Sequence, residues 1–314
     1  MGAIQDLKER PGSARMRRPF VFACDSAYAM PLATTFRSIV ETNRKGWPLE
    51  FHVLSDGFSE EMRRRVLNSI PESSATIRWV PVDLTPFREF STISYVSKMT
   101  YARFLISHMF KDDTSRVLYL DADLLVLDDL GPIWETNLEG AVLGAVLDGL
   151  DSQLKGGKPG LEKAPRVRDY FNAGVLLIDL DRWKKERISE KALEYLVRNP
   201  QSPYSDQDAL NVACDTLWKK IDPRWNFQPY YEKKKISDMD PAERPGIVHF
   251  VTKAKPWNPS VPNLDARFYD GFRSRTCFAR TTQDRLRDTL QGIWSRLKGR
   301  LRRYPFLRAL QKTF

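Results

Sequence analysis

Arg116-Val117-Leu118-Tyr119-Leu120-Asp121-Ala122-Asp123-Leu124-Leu125-Val126-Leu127 is an apolar run interrupted by two carboxylates one residue apart. Apolar residues on both sides point to a strand buried on both faces, as in a parallel sheet covered by helices. Charges are almost never fully buried unless they are paired or bound to a metal, so Asp121 and Asp123 belong where the strand leaves the sheet. In an extended segment residues i and i+2 share a face, which would let both carboxylates hold one hard divalent cation. Asp-x-Asp is short, however, and a strand ending in a solvated acidic turn has the same pattern. On this stretch alone the two readings stand level.

Upstream, strand and helix patterns alternate. Phe20 to Cys24 is a short apolar run ending at Asp25, and Leu32, Phe36, Ile39 and Val40 then recur at helical spacing. Phe51 to Leu54 predicts a second strand, Ser59 caps a helix running to Ile70, and Thr76 to Val82 alternates as a third strand. A helix near Thr100 to Met109 leads into the Asp121 strand. Downstream, Ala141 to Leu147 and Phe171 to Ile178 read as further strands, with Gly174 permitting close backbone approach to a ligand. Between them, Asp148 to Asp169 holds too much glycine and charge for a core and predicts a long loop or lid. Ser205 to Leu210 reads as a helix N-terminus, where Asp206 and Asp208 also have a wholly structural use against the helix dipole. Ile247 to Phe250 is a last short strand. This alternation predicts a doubly wound, mostly parallel sheet with ligands at the carboxyl ends of its strands. No Gly-x-Gly-x-x-Gly or Gly-x-x-x-x-Gly-Lys-Ser/Thr occurs, so the usual dinucleotide and P-loop cradles are absent.

At 314 residues, 42% hydrophobic and 29% charged, the chain can bury a full core. No apolar run approaches the roughly 20 residues of a membrane-spanning helix. Three widely spaced cysteines without a Cys-x-x-Cys motif indicate neither a disulfide framework nor a zinc site, which fits a reducing cytoplasm. The net charge of +10 is concentrated at the ends: residues 1–19 carry +3 and residues 263–314 carry +9, leaving −2 between them. Basic ends on a nearly neutral body suit an acidic surface. From Leu286 the apolar residues Leu286, Leu290, Ile293, Trp294, Leu297 and Leu301 recur every three or four positions among Arg285, Arg287, Arg296, Lys298, Arg300, Arg302 and Arg303, and Pro305 ends the pattern. Such a basic amphipathic helix can lie in the headgroup region of an anionic bilayer. The alternative is a last helix packed on the core, and the heavy charge favours the bilayer. Nucleic acid fits less well, because the aromatics are not interleaved as stacking platforms.

Seven stretches, in order over residues 20 to 260, resemble glycosyltransferase family 8: Phe22-Ala23-Cys24-Asp25, Phe51-His52-Val53-Leu54, Thr100-Tyr101-Ala102-Arg103, Val117 to Asp123, Tyr170 to Leu177, Asp206-Gln207-Asp208-Ala209-Leu210-Asn211, and His249 through Lys255-Pro256-Trp257. The nearest likeness is to bacterial lipopolysaccharide galactosyl- and glucosyltransferases, whose basic tails the C-terminus also resembles. The resemblance implies a GT-A fold with a mostly parallel mixed sheet flanked by helices, a UDP-hexose donor, Mn2+ (or Mg2+), and transfer with retention of anomeric configuration. It places Asp121, Asp123 and His249 on the metal and Lys255 on the diphosphate. It also sets Asp25 and Ala122 at the nucleotide, and Arg103, Asn172, Gly174 and Asp206 at or around the donor sugar. Gln207 falls near the anomeric carbon. A carboxamide is a poor covalent nucleophile, so same-face attack is expected, with a covalent route through Asp206 or Asp208 left open.

Two positions depart from the family pattern: Ala27, where relatives often have Asn, and Thr252, where they have Gly. The expected organisation is a basic tail over 1–19, a catalytic domain over 20–262 and a membrane-association segment over 263–314. The expected activity is hexose transfer to a lipid-linked saccharide at the cytoplasmic face of a bacterial membrane. The rivals are a haloacid dehalogenase type phosphatase, which expects Gly and Thr where Leu124 and Leu125 stand, and a sugar-nucleotide binder without catalysis.

Overall fold

The computed structural model describes residues 18–90, 92, 97–110, 114–261, 263 and 265–301. Residues 1–17 of the expected 1–19 tail, and the chain beyond Leu301 with Pro305, lie outside the described residues. Seven strands form one sheet in the order β3-β2-β1-β4-β7-β6-β8. These are β1 (Pro19–Asp25), β2 (Glu50–Asp56), β3 (Thr76–Pro81), β4 (Arg116–Leu120), β6 (Leu143–Ala145), β7 (Val175–Asp179) and β8 (Trp218–Lys220). A second, two-stranded sheet pairs β5 (Leu124–Val126) with β9 (Ile247–His249).

The period-two pattern decides what each face buries. Phe20, Phe22, Leu118 and Leu120 face one side, where they meet Leu32, Phe36 and Ile39 of the helix Ala29–Thr42. Val21, Val117 and Tyr119 face the other side, against Tyr101, Phe104, Trp183 and Leu210. Both faces are covered, so β1 is apolar from Phe20 to Cys24 and β4 from Val117 to Leu120. Each fully buried aromatic or aliphatic side chain there contributes on the order of 1.5–3 kcal/mol.

The pairing directions gather the site. β1, β2, β3 and β4 run parallel, whereas β7 is antiparallel to β4 and to β6. The residues preceding β7, Asn172 to Gly174, therefore stand at the same end of the sheet as Asp25, which closes β1, and Asp121 and Asp148, which follow β4 and β6. A purely parallel sheet would have put the start of β7 at the opposite end.

The structure corrects several expectations. The run from Arg116 to Leu127 is not one strand: β4 ends at Leu120, the chain bends at Ala122–Asp123, and β5 continues in the second sheet. Asp121 and Asp123 thus converge through a bend rather than by sharing the face of an extended strand. The segment near Thr100 to Met109 is mainly a 3-10 helix over Lys98–Leu105, with an α-turn only over Ile106–Met109. Ser59 does cap its helix, accepting from Met62 N at 3.2 Å, but that helix ends at Leu67. The segment after Asp148 begins with a short helix, Asp151–Lys155.

The helix Thr282–Leu301 sits with its polar side inward. Gln291 Nε2 donates to Ser260 Oγ and Ser295 Oγ donates to the Ser260 carbonyl, both at 3.0 Å, and Asp288 pairs with Arg280 at 3.2 Å. Leu286, Leu290, Ile293, Trp294 and Leu297 are instead 44–62% exposed. No described helix is long and apolar enough to cross a membrane.

Candidate functional site

That end of the sheet opens into a cleft of about 1050 Å³, counting its open mouth, lined by Asp25, Arg103, Asp121, Ala122, Asp123, Asn172, Asp206, Gln207, His249 and Lys255 among others. Ten of the eleven residues expected at the donor site therefore share one cleft. Gly174, the eleventh, lies behind the wall.

Asp121, Asp123 and His249 form a cluster, each offering one ligand atom within 4.8 Å of the others. His249 ends β9, which pairs with β5 so that His249 stands opposite Leu124, next to Asp123 in the chain. Its ring is oriented by two amides: Nδ1 lies 3.1 Å from Asn172 Oδ1 and 3.0 Å from Asn226 Oδ1. The orientation of Asn172 follows from its own partners, since its Nδ2 donates to Asp148 Oδ2 and its Oδ1 accepts from Gly174 N. With acceptors facing Nδ1, that nitrogen carries a proton, which leaves Nε2 as the ring nitrogen able to offer a lone pair to a metal. Nε2 is 3.1 Å from Asp123 Oδ1 and 3.6 Å from Asp121 Oδ2. Positive charge belongs among these three groups, supplied by a proton on Nε2 or by a metal in its place. Two carboxylates and an imidazole match the mixed oxygen and nitrogen set that Mn2+ accepts.

Gly174 makes this convergence sterically possible. A Cβ there would stand 2.2 Å from His249 Cε1 and 2.7 Å from Asp121 Oδ2. The expected close approach at Gly174 is thus made by the ring and the carboxylate, from the chain itself. Asp121 is further fixed by Tyr119 Oη at 2.7 Å, by Arg103 Nη2 at 3.1 Å, and by its own N–H donating to the Gly174 carbonyl at 2.8 Å.

Lys255 donates to Asp123 Oδ2 and, at 2.6 Å, to the Phe250 carbonyl, which sets its ammonium on the cleft wall beside the cluster. Burial works to raise the Asp123 carboxyl, but Lys255 and His249 outweigh it and hold it well below the usual carboxylate range. Asp123 therefore stays ionised.

Arg103 is buried, and its guanidinium is committed to Asp121, to Asp206 Oδ2 at 3.0 Å and to the Ala173 carbonyl at 2.9 Å. It fixes two cleft carboxylates in place. Burial pushes the Asp206 carboxyl up to about 6, against the pull of Arg103 and a hydrogen bond from Thr100. Gln207 is held at both ends of its amide: Oε1 accepts from Ala173 N at 3.0 Å and Nε2 donates to Asp148 Oδ2 at 3.1 Å. Asp208 does not line the cleft. It is fully buried, and its carboxylate accepts from Tyr170, Ser202 and Tyr204 N, so its use is structural. Asp25 caps the turn after β1 by accepting from Ala27 N at 3.0 Å, and the Ala122 carbonyl accepts from Thr35 Oγ1 at 3.0 Å.

Sequence reasoning missed Asp148 and Asn226. Asp148 is 5% exposed, its carboxyl raised by burial and offset by Asn172, Leu150 N and Gln207. It directly follows a predicted strand, the same signal that picked out Asp25, and was legible in that sense. Asn226 comes from an irregular 3-10 turn, Pro223–Asn226, and nothing in its local sequence marks it.

The chain is similar to several known proteins. The chain is 28% identical over 268 residues to general stress protein A of Bacillus subtilis (strain 168), covering 79% of this chain and 91% of that protein. It is 30% identical over 218 residues to the lipopolysaccharide 1,3-galactosyltransferase of Salmonella typhimurium, covering 67% of this chain and 64% of that one. Among solved structures, the galactosyltransferase LgtC in complex with donor and acceptor sugar analogs superposes with a TM-score of 0.71 at 29% identity, over 85% of this chain and 99% of LgtC. The fold is accordingly of the GT-A type. A family model described as Glycosyl transferase family 8 matches residues 19–260, and the chain belongs to that family.

Proposed function

We propose that this chain moves a hexose, glucose or galactose, from a UDP-sugar to a lipid-linked saccharide with retention of configuration, using Mn2+ held by Asp121, Asp123 and His249. The observation that carries this reading is the convergence of Nε2 and two carboxylates, with Nδ1 pinned by Asn172 and Asn226 so that Nε2 faces inward. When bound, the metal neutralises negative charge on the departing diphosphate. The chain supplies the rest. Lys255 turns its ammonium from Asp123 to the diphosphate, and Asp25 faces the uridine at the end of β1. Asp206 and Asn172 line the donor-sugar side, where Arg103 keeps Asp206 and Asp121 at fixed positions. Gln207, clamped by Ala173 N and Asp148, presents an immobile amide near the anomeric carbon. An amide so held is not a nucleophile, so the acceptor hydroxyl attacks from the face the UDP leaves, and a phosphate oxygen takes its proton.

The C-terminal helix supports a membrane-borne acceptor. Packing in a core would require its apolar side to face the body, yet that side is outermost and the polar side is docked on Ser260. An outward apolar stripe on a basic helix suits the interface of an anionic bilayer, at the inner face of the cytoplasmic membrane. The test is UDP release from a UDP-hexose: Asp123→Asn should abolish Mn2+-dependent turnover while its melting curve stays cooperative. Full turnover in the presence of EDTA would overturn the proposal.

A further inference from the structure

The segment joining β9 to Lys255 contains a residue in a conformation its side chain disfavours. Thr252 lies at φ +68°, in the left-handed region, where a β-branched residue is a genuine outlier. Such strain persists where the surroundings over-determine it, and it clusters at ligand clamps. Thr252 is on the cleft wall, three residues after His249 and three before Lys255, and all three line the same cleft. The turn that carries it is anchored to the Asp123 bend, because Phe250 N donates to the Asp123 carbonyl at 3.1 Å and Lys255 spans Asp123 and the Phe250 carbonyl.

The hydroxyl has one duty in the turn. Thr252 Oγ1 accepts from Ala254 N at 3.3 Å, and among the described residues it donates to nothing. Its proton is therefore uncommitted, in a cleft that Lys255 and the Asp121, Asp123 and His249 cluster also line. An O–H donor and an ammonium lining one cleft suit an oxyanion, since hydrogen bonds to a charged acceptor are the stronger kind.

We infer that Thr252 is a donor-positioning residue whose hydroxyl donates to a diphosphate oxygen of the nucleotide in the cleft. This rests on the UDP-sugar reading above, and it assigns to the side chain a contact that a glycine at this position could not make.

The experiment measures dissociation constants of UDP and of uridine, both with Mn2+, for the wild type, Thr252→Val, Thr252→Ser and Thr252→Gly, together with their melting temperatures. Thr252→Val should weaken UDP roughly tenfold or more and leave uridine unchanged, whereas Thr252→Ser, which keeps the hydroxyl, should stay within about twofold of the wild type. Thr252→Gly covers the case in which valine does not fold there: it removes the strain, so it should melt at or above the wild-type temperature and yet lose UDP by the same factor as valine. Tighter UDP binding by Thr252→Gly, or wild-type binding by Thr252→Val, would overturn the assignment alone. Equal losses for UDP and uridine would also overturn it, by marking the residue as structural. Failure of the wild type to bind UDP would overturn the donor reading along with it.

Discussion

Replacing Gly174 by alanine adds a methyl group at the point where the two halves of the site meet. Gly174 has no positive φ, so alanine is not excluded by the backbone; the effect comes from space alone. The new Cβ would lie 2.2 Å from His249 Cε1, where ordinary carbon contacts are about 3.5 Å or more. Either the imidazole recedes by more than about 1 Å or β7 moves away from β4. Moving the ring breaks its contacts to Asn172 and Asn226 at 3.1 and 3.0 Å and draws Nε2 away from Asp123. Overpacking costs about 1–3 kcal/mol, and two lost hydrogen bonds add about 0.5–1.5 kcal/mol each. The expected destabilisation is about 2–6 kcal/mol, or roughly 4–24 °C in Tm for a domain of this size. Mn2+ affinity should fall at least about tenfold, as it does when a ligand is displaced by its support. Thermal melts and Mn2+ titrations of the variant give both numbers. Gly271→Ala is the control: nothing lies within 4 Å of a Cβ there, and alanine in a helix should be neutral or stabilising by up to about 1 kcal/mol. Gly174→Ala with wild-type Tm and wild-type Mn2+ affinity would refute the close-packed triad.

Asn226→Ala should leave His249 Nδ1 with Asn172 alone and lower Mn2+ affinity about tenfold, measured by titration; no change would mean that Asn172 orients the ring unaided. Burial lifts Asp206 to about 6 from 3.8, so between about pH 4 and 6 the folded chain keeps a proton that the unfolded chain has released. That contribution is fully present below pH 4 and is lost as pH rises through 6. Stability of the wild type should therefore fall relative to Asp206→Asn across that window, by up to about 3 kcal/mol; denaturant curves at pH 4 and 7 that shift in parallel would contradict it. Leu286→Glu with Leu290→Glu and Leu297→Glu should abolish binding to anionic vesicles in a flotation assay without changing Tm, because these side chains touch solvent rather than core. A large drop in Tm would show that the stripe packs on the body.

Much of the fold was legible because its strands are covered on both faces. Phe20 to Cys24 and Val117 to Leu120 are apolar at every position, whereas a strand with one face in solvent would alternate. The bend at Ala122–Asp123 was not legible, because Leu124 to Val126 continues the apolar run while pairing in a different sheet. The same limit applies to Lys98–Leu105, where helical spacing does not distinguish a 3-10 helix from an α-helix over two turns. At the site, the residues carried by strand ends were found, whereas Asn226 was not, because only the tertiary fold brings its irregular turn beneath His249. Arg103 was expected at the donor sugar, and its commitment to Asp121, Asp206 and the Ala173 carbonyl shows why a cation sits there at all. Thr252 was visible as a departure from the family pattern, but the left-handed backbone that gives it meaning is a property of the folded turn.

The claim on which the rest depends is that Asp121, Asp123 and His249 hold a manganese ion. Electron paramagnetic resonance of free Mn2+, titrated into the purified chain with UDP present, tests it directly. The account requires one bound ion per chain, with binding abolished in Asp123→Asn and strongly reduced in His249→Ala. Stoichiometric binding that survives both substitutions, or no binding by the wild type, would contradict it.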